Sequence, residues 1–203
     1  MKALLLVDIQ NDFTPGPPGG ALAVPDGDAV IAVANRLMPE YALVVATQDW
    51  HPADHKSFAS QHPGRSVGDV IQWQGLDQVM WPDHCVQGTA GARFCEGLDA
   101  DRINDVVRKG TNVNIDSYSG FYDNGPPETR QSTGLADLLR GHGVTDLDVM
   151  GLATDYCVKF TALDAVSEGF NTRLILEGCQ GVDLNTGDCD RAIEDMRNQG
   201  VEL

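Results

Sequence analysis

ALLLVD, residues 3–8, is an apolar run without polar alternation, closed by the acid Asp8. A strand that is apolar at every position is buried on both faces, and such strands belong to parallel sheets covered by helices. The rest of the chain keeps that rhythm. Residues 28–38 predict a helix, with Ile31, Ala34 and Met38 on one face behind Asp28 as its N-cap. Residues 43–47 predict a second strand, 105–108 a third, 134–140 a helix, 147–150 a fourth strand and 155–168 a long helix. A strand at 171–176 and a helix at 191–198 follow, and 201–203 reads as the stub of a sixth strand. The expected fold class is α/β: one domain spanning 1–203, built as three layers, α/β/α, around a mostly parallel six-stranded sheet. A Pro/Gly-rich turn is expected at 14–20. Residues 50–104 break the rhythm with dense punctuation and little periodicity, and long loops of this kind usually carry function.

Composition narrows the classes. With 203 residues, 42% of them hydrophobic and 22% charged, the chain can close a core without disulfides and is neither disordered nor fibrous. A net charge of −16 excludes a basic face tracking a phosphate backbone, so no nucleic-acid partner is expected. No stretch approaches the roughly 20 apolar residues that span a bilayer. The N-terminal apolar run is too short for a secretory signal, so no membrane and a cytoplasmic location are expected. Five cysteines, odd in number and never in a C-x-x-C pair, argue against a disulfide framework or a four-thiolate zinc site. Gly141-His142-Gly143 follows a helix and reads as its C-terminal turn, not as a dinucleotide fingerprint.

In open α/β sheets ligands gather at the carboxyl ends of the strands. Reactive residues fall there four times: Asp8 after the first strand, Asp49 and His51 after the second, Lys109 after the third, and Cys157 in the first turn of the helix after the fourth. Unpaired amides and the helix dipole in a first turn favour thiolate, which makes Cys157 a candidate nucleophile. Taken alone, it reads equally as a small buried hydrophobe, Asp8 as a turn cap and Lys109 as a solvated strand end. Together, the carboxylate can take the thiol proton and the ammonium can stabilise the resulting charge. Asp49 and His51 project to one side of an extended chain, and His84 offers a third ligand. Two imidazoles and a carboxylate suit Zn²⁺, Fe²⁺ or Mn²⁺ and leave positions open. A lone D-x-H also reads as a surface histidine, and His55 and His62 stay ambiguous.

Seven stretches carry a resemblance that runs through nearly the whole chain: ALLLVDIQNDFTPGPPGGALAV (3–24), TQDWHPADHKSFAS (47–60), WPDHCVQGTAGA (81–92), KGTN (109–112), DSYSGFYD (116–123), GLATDYCVKFTALDA (151–165) and GCQGVDLNTGD (178–188). As a set they resemble the isochorismatase-like cysteine hydrolase family, on its nicotinamidase (pyrazinamidase) branch. The resemblance implies that Cys157 is the nucleophile, Asp8 its proton partner and Lys109 the third member of a triad. It implies a divalent metal, zinc ahead of iron or manganese, on Asp49, His51 and His84. It further implies a cis peptide between Leu152 and Ala153, an oxyanion hole from the Ala153 and Cys157 amides, and a ring pocket walled by Phe13, Trp81 and Tyr118. Some relatives add a metal ligand from the loop after D-W-H; here His55, Ser57 and Ser60 are open for that place.

The activity implied is metal-assisted hydrolysis of nicotinamide, and of pyrazinamide-like carboxamides, to the acid and ammonia through a cysteine thioester, feeding NAD salvage. The partner implied is a small-molecule substrate, on a monomer or a homo-oligomer. Two rivals differ in their residues. An amidase or vinyl-ether hydrolase of the same family would not generally carry the D-x-H plus distal His set. A phosphoacceptor receiver module is much shorter and usually has an acidic pair after its first strand, which Asp8-Ile9 does not supply.

Overall fold

A computed structural model describes residues 1–16, 19–126 and 128–203. Its centre is a sheet of five parallel strands: β1 (Lys2–Val7), β2 (Val44–Asp49), β5 (Asp105–Lys109), β6 (Asp146–Leu152) and β7 (Asn171–Gln180), in the order β5-β2-β1-β6-β7. The central strands are buried along almost their whole length, as their continuous apolar sequence requires. Leu4, Leu5 and Leu6 of β1 meet Val45 of β2 and Leu147 and Val149 of β6 in one core with Phe121, Leu135 and Leu139. Fully burying such a side chain contributes about 1.5–3 kcal/mol. Helix α1 (Ala29–Leu37) packs on β7 and β6, and α3 (Lys159–Ser167) packs on β7 and on α4 (Asp188–Asn198). The remaining helix, α2 (Leu135–Gly141), ends in a turn at Gly143 with φ +71°, as the Gly-His-Gly reading expects.

Several expectations need correction. Among the described residues the sheet has five strands, not six: the 201–203 stub lies beside β7 but makes only the bridge between Glu202 and Arg173. Asp28 makes no side-chain cap to α1, because its own backbone is already helical, at φ −69° and ψ −20°. The long helix expected at 155–168 is split into a π-helical turn, Thr154–Val158, and α3. Strand β7 runs four residues past its expected end, α4 begins three residues early, and Asp49 is the last residue of β2 instead of following it. The 50–104 stretch also holds a hairpin, β3 (Val70–Trp73) and β4 (Leu76–Val79), turning on Gln74 and Gly75 at φ +52° and +80°. Gln-Gly is a weaker turn signal than Asn-Gly, so periodicity passed over it. Part of the turn expected at 14–20, Pro17 and Pro18, lies outside the described residues.

Register brings the reactive residues together. Asp49 pairs directly with Lys109 across β2 and β5, and Asp8 leaves β1 beside them. The peptide between Leu152 and Ala153, at the end of β6, is cis, as the resemblance implies.

Candidate active site

Asp8 is fully buried with φ +49°, and its carboxylate is fixed from two sides. Thr47 Oγ1 accepts the Asp8 amide at 3.2 Å and donates to Asp8 Oδ1 at 2.7 Å. Lys109 Nζ stands 2.9 Å from Asp8 Oδ2, 3.0 Å from Asp49 Oδ1, 2.8 Å from the Ser117 carbonyl and 3.4 Å from Cys157 Sγ. Four acceptors therefore surround an ammonium with three protons. Asp8 Oδ2 faces the ammonium as an ion pair and lies beside the Cys157 thiol. A buried carboxylate oxygen with a free lone pair beside a thiol is where the thiol proton can go.

The electrostatics follow from two carboxylates sharing one ammonium. Burial pulls Lys109 toward neutrality, but Asp49 and Asp8 outweigh it and hold the ammonium charged. Burial raises the Asp8 carboxyl, Lys109 opposing and Asp49 reinforcing. Burial also pushes the Cys157 thiol well up; Lys109 lowers it, and the two carboxylates raise it again. Against the thiolate favoured by a helix first turn, burial and the two carboxylates favour the neutral thiol, because a third anion here would face two existing ones.

Beside the triad, Asp49, His51 and His84 bring one donor atom each within 4.8 Å of one another. Gln10 latches Asp49 by its backbone, donating to its carbonyl at 2.8 Å and accepting its amide at 2.8 Å. His51 Nδ1 meets the Gly110 carbonyl at 2.9 Å, and His84 Nδ1 meets the Pro82 carbonyl at 2.7 Å. Each contact spends Nδ1–H on the backbone and turns Nε2 inward, to 3.0 and 3.6 Å from Asp49 Oδ2. Burial disfavours a charged His51, but Asp49 outweighs it and raises the imidazole pKa. That proton stands where a divalent cation would bind. Two Nε2 atoms and a carboxylate oxygen, convergent and pinned from behind, fit such an ion. Gly110 is required here, since a Cβ would lie 2.4 Å from His51 Cε1 and 2.8 Å from Asp49 Oδ1.

The three residues left open as a further ligand sort themselves. Ser57 donates its amide to His55 Nδ1 at 3.2 Å and its hydroxyl to the same nitrogen at 2.8 Å. The neutral His55 ring therefore carries its proton on Nε2, which has no partner and presents N–H instead of a lone pair. Burial, with His51 adding to it, lowers its pKa to about 4. Ser60 donates to Asp83 at the surface.

Asp49, His84, Ala153 and Cys157 open onto one cleft. Phe13, Trp81 and Tyr118 line it. Trp81 Nε1 donates to the Tyr118 hydroxyl at 3.1 Å, and Phe13 leans on His84 with ring centroids 5.6 Å apart. Sequence reasoning missed four further lining residues, Leu22, Asp116, Tyr156 and Val182. It also missed Gln10 and Thr47, although Leu22, Gln10, Thr47, Asp116, Tyr156 and Val182 all sit inside the quoted motifs. Tyr156 meets both Trp81 and Tyr118 edge-on.

The isochorismatase domain matches residues 2–203. The chain belongs to the isochorismatase-domain family. Within that family it is 50% identical to the nicotinamidase of Escherichia coli (strain K12), over all of this chain and 93% of that one. Two solved structures in this range superpose closely. The L. infantum protein PnC1 in complex with nicotinate is 36% identical, with a TM-score of 0.85, over 100% of this chain and 91% of that one. The pyrazinamidase of Pyrococcus horikoshii in complex with zinc is 38% identical, with a TM-score of 0.78, over 99% and 97%. Among the described residues, no helix is long and apolar enough to cross a membrane.

Proposed function

We propose that this isochorismatase-family chain is a nicotinamidase, a single 1–203 domain that hydrolyses nicotinamide, and related pyridine and pyrazine carboxamides, to the carboxylic acid and ammonia. One observation carries the reading: Asp8 and Cys157 both stand within hydrogen-bonding distance of the Lys109 ammonium, beside a cleft lined by Cys157 and by Asp49 and His84 of the metal-type set. Likeness to relatives described as nicotinamidases, and to a structure holding nicotinate, supports the substrate.

The aromatic ring lies between Phe13, Trp81 and Tyr118, with its carboxamide carbon at Cys157 Sγ. As sulfur attacks, the thiol proton passes to Asp8 Oδ2, and Lys109 balances the negative charge around them. The amides of Ala153 and Cys157 receive the developing oxyanion. Asp8 returns the proton to the departing nitrogen, ammonia leaves and a thioester remains on Cys157. Water then adds to the thioester with Asp8 taking its proton, and collapse releases the acid and restores the thiol. Asp49, His51 and His84 would hold a divalent ion, zinc ahead of iron or manganese, which supplies a Lewis acid for the ring nitrogen and so orients the substrate.

The test is ammonia release from nicotinamide by the purified protein, before and after chelation and with metals restored singly. Release that vanishes on chelation and returns with zinc supports both the substrate and the metal. Absence of release under every metal would overturn the substrate while leaving the family intact.

A further inference from the structure

We propose that Asp12, which lines neither the cleft nor the ligand set, is the positioning residue that holds the two histidine ligands and the ring wall in register. The catalytic part of this inference rests on the nicotinamidase reading; the metal part does not.

Asp12 makes four contacts, to three segments at once. Its Oδ2 accepts the Cys85 amide at 2.7 Å, and its Oδ1 accepts the Ala21 amide at 3.2 Å. Its own amide donates to the Gly91 carbonyl, and its carbonyl accepts the Leu22 amide, each at 3.0 Å. Cys85 follows His84 directly, and its carbonyl accepts the His51 amide at 3.0 Å. The Cys85 peptides are therefore gripped between Asp12 on one side and the His51 backbone on the other, which sets the spacing of both histidines. Cys85 sits at φ +45°, a region that non-glycine residues adopt rarely, so an outside contact must hold it there. On the opposite side Asp12 precedes Phe13 and bonds Leu22, both in the cleft wall.

The molecule has made room for this carboxylate. A Cβ on Gly91 would lie 2.0 Å from Asp12 Oδ2 and 2.4 Å from Oδ1, and a Cβ on Gly20 would lie 2.2 Å from the Asp12 carbonyl oxygen. Both glycines form the socket in which Asp12 sits. Among the described residues Asp12 has no hydrogen bond or ion pair to Asp8, Lys109 or Cys157, so the nucleophile end does not hang on it.

The experiment measures zinc dissociation constants by competition with a chelating dye, and kcat and KM at saturating zinc, for Asp12→Ala, Asp12→Asn, Gly91→Ala and the Asp12→Ala, Gly91→Ala double variant. Asp12→Ala is expected to weaken zinc binding by about 10- to 100-fold, the usual cost of losing an outer-shell partner. KM should rise with kcat reduced far less. Asp12→Asn keeps one acceptor oxygen for Cys85 and should fall between. Gly91→Ala should reproduce the loss while Asp12 is present and add nothing in the Asp12→Ala background, since its clash is with the carboxylate itself. A merely structural role would lower the unfolding temperature and leave the zinc constant of the folded fraction unchanged, and that result overturns the proposal. So does additivity in the double variant. If Asp12→Ala does not fold, Asp12→Asn and Gly91→Ala decide by the same zinc readout. A wild-type protein without ammonia release would sink the reaction assignment but not the clamp, whose zinc measurement needs no turnover.

Discussion

Asp8, Lys109 and Cys157 stand at the ends of β1 and β5 and on the turn after β6, whereas His51, His84, Phe13 and Trp81 stand on loops outside the main sheet. Ladder register fixes the first group: Asp49 faces Lys109 because β2 pairs with β5, and a one-residue slip would break every contact of the ammonium. The second group is held by isolated bridges, His51 to Val86 and Phe58 to Trp81, and by contacts such as His84 Nδ1 to the Pro82 carbonyl. The two halves of one cleft thus rest on different supports, and each should fail without the other. The acylation half needs a rigid edge because proton transfer tolerates little displacement, while loops can present a ring and an ion from several directions.

Cys157→Ala breaks the comparison most sharply. Turnover should fall by at least about 10⁴-fold, the scale of losing a nucleophile. Zinc stoichiometry should stay at the wild-type value, because no metal-type ligand contacts Sγ. Retained turnover in that variant would sink the thioester route; lost zinc would show the halves to be one unit.

Lys109→Met is the stronger test of the edge. The ammonium neutralises two buried carboxylates, and removing one partner of a buried ion pair costs about 3–5 kcal/mol. The unfolding free energy measured in denaturant should drop by that order, together with turnover. A stable variant would mean that Asp8 takes up a proton instead, visible as a carboxyl band in difference infrared spectra.

His84→Ala attacks the other half. It should weaken zinc binding by more than the roughly 10- to 100-fold that loss of an outer-shell partner costs, since a ligand itself is removed, while alkylation of Cys157 by iodoacetamide proceeds at the wild-type rate. Slower alkylation would show that the loop half supports the thiol as well.

How much of this was legible follows the same divide. Asp8, Lys109 and Cys157 could be placed from sequence because each ends or follows a strand expected from the sequence, and parallel strands deliver their carboxyl ends to one edge. The ring wall came from motif resemblance; the spacing of Asp49 and His51 suggested a metal set with His84, but nothing periodic in 50–104 says that His84 returns to Asp49. Gln10 and Thr47 went unnoticed because their work is done through side-chain contacts to a neighbouring strand, which spacing along one strand does not reveal. The π turn escaped for a related reason: a helix period cannot distinguish it from the α-helix it opens.

The pH profile sharpens the acylation half. Asp8 acts as a base only when ionised, and burial raises its pKa above the ordinary carboxylate range. Turnover should therefore fall as pH falls, through a midpoint above the ordinary value of about 3.9 and by about tenfold per unit below it. Bound zinc measured across the same range separates this limb from loss of the ion. A profile flat down to the ordinary carboxylate value, with zinc retained, would remove Asp8 as the base.

The smallest effect belongs to the opposite end of the same sheet. There Asp148 of β6, buried, accepts from the Tyr41 hydroxyl and pairs with Arg173 and Lys2. Burial works against the Asp148 charge, but the bonds from Arg173 and Tyr41 outweigh it and hold its pKa below the ordinary value. This network resembles the triad in its parts, an acid among a cation and a hydroxyl, yet no cysteine stands in it. Tyr41→Phe should cost about 1 kcal/mol of stability, the net worth of one hydrogen bond, and leave kcat and KM unchanged. The stability that Asp148 contributes is present above the ordinary carboxylate pKa and is lost as pH falls through the lowered folded value. Since Tyr41→Phe removes one of the bonds that lower it, the variant should lose less stability than the wild type on acidification. A change in kcat at neutral pH would show that the two ends of β6 are mechanically coupled, which the separation of their contacts argues against.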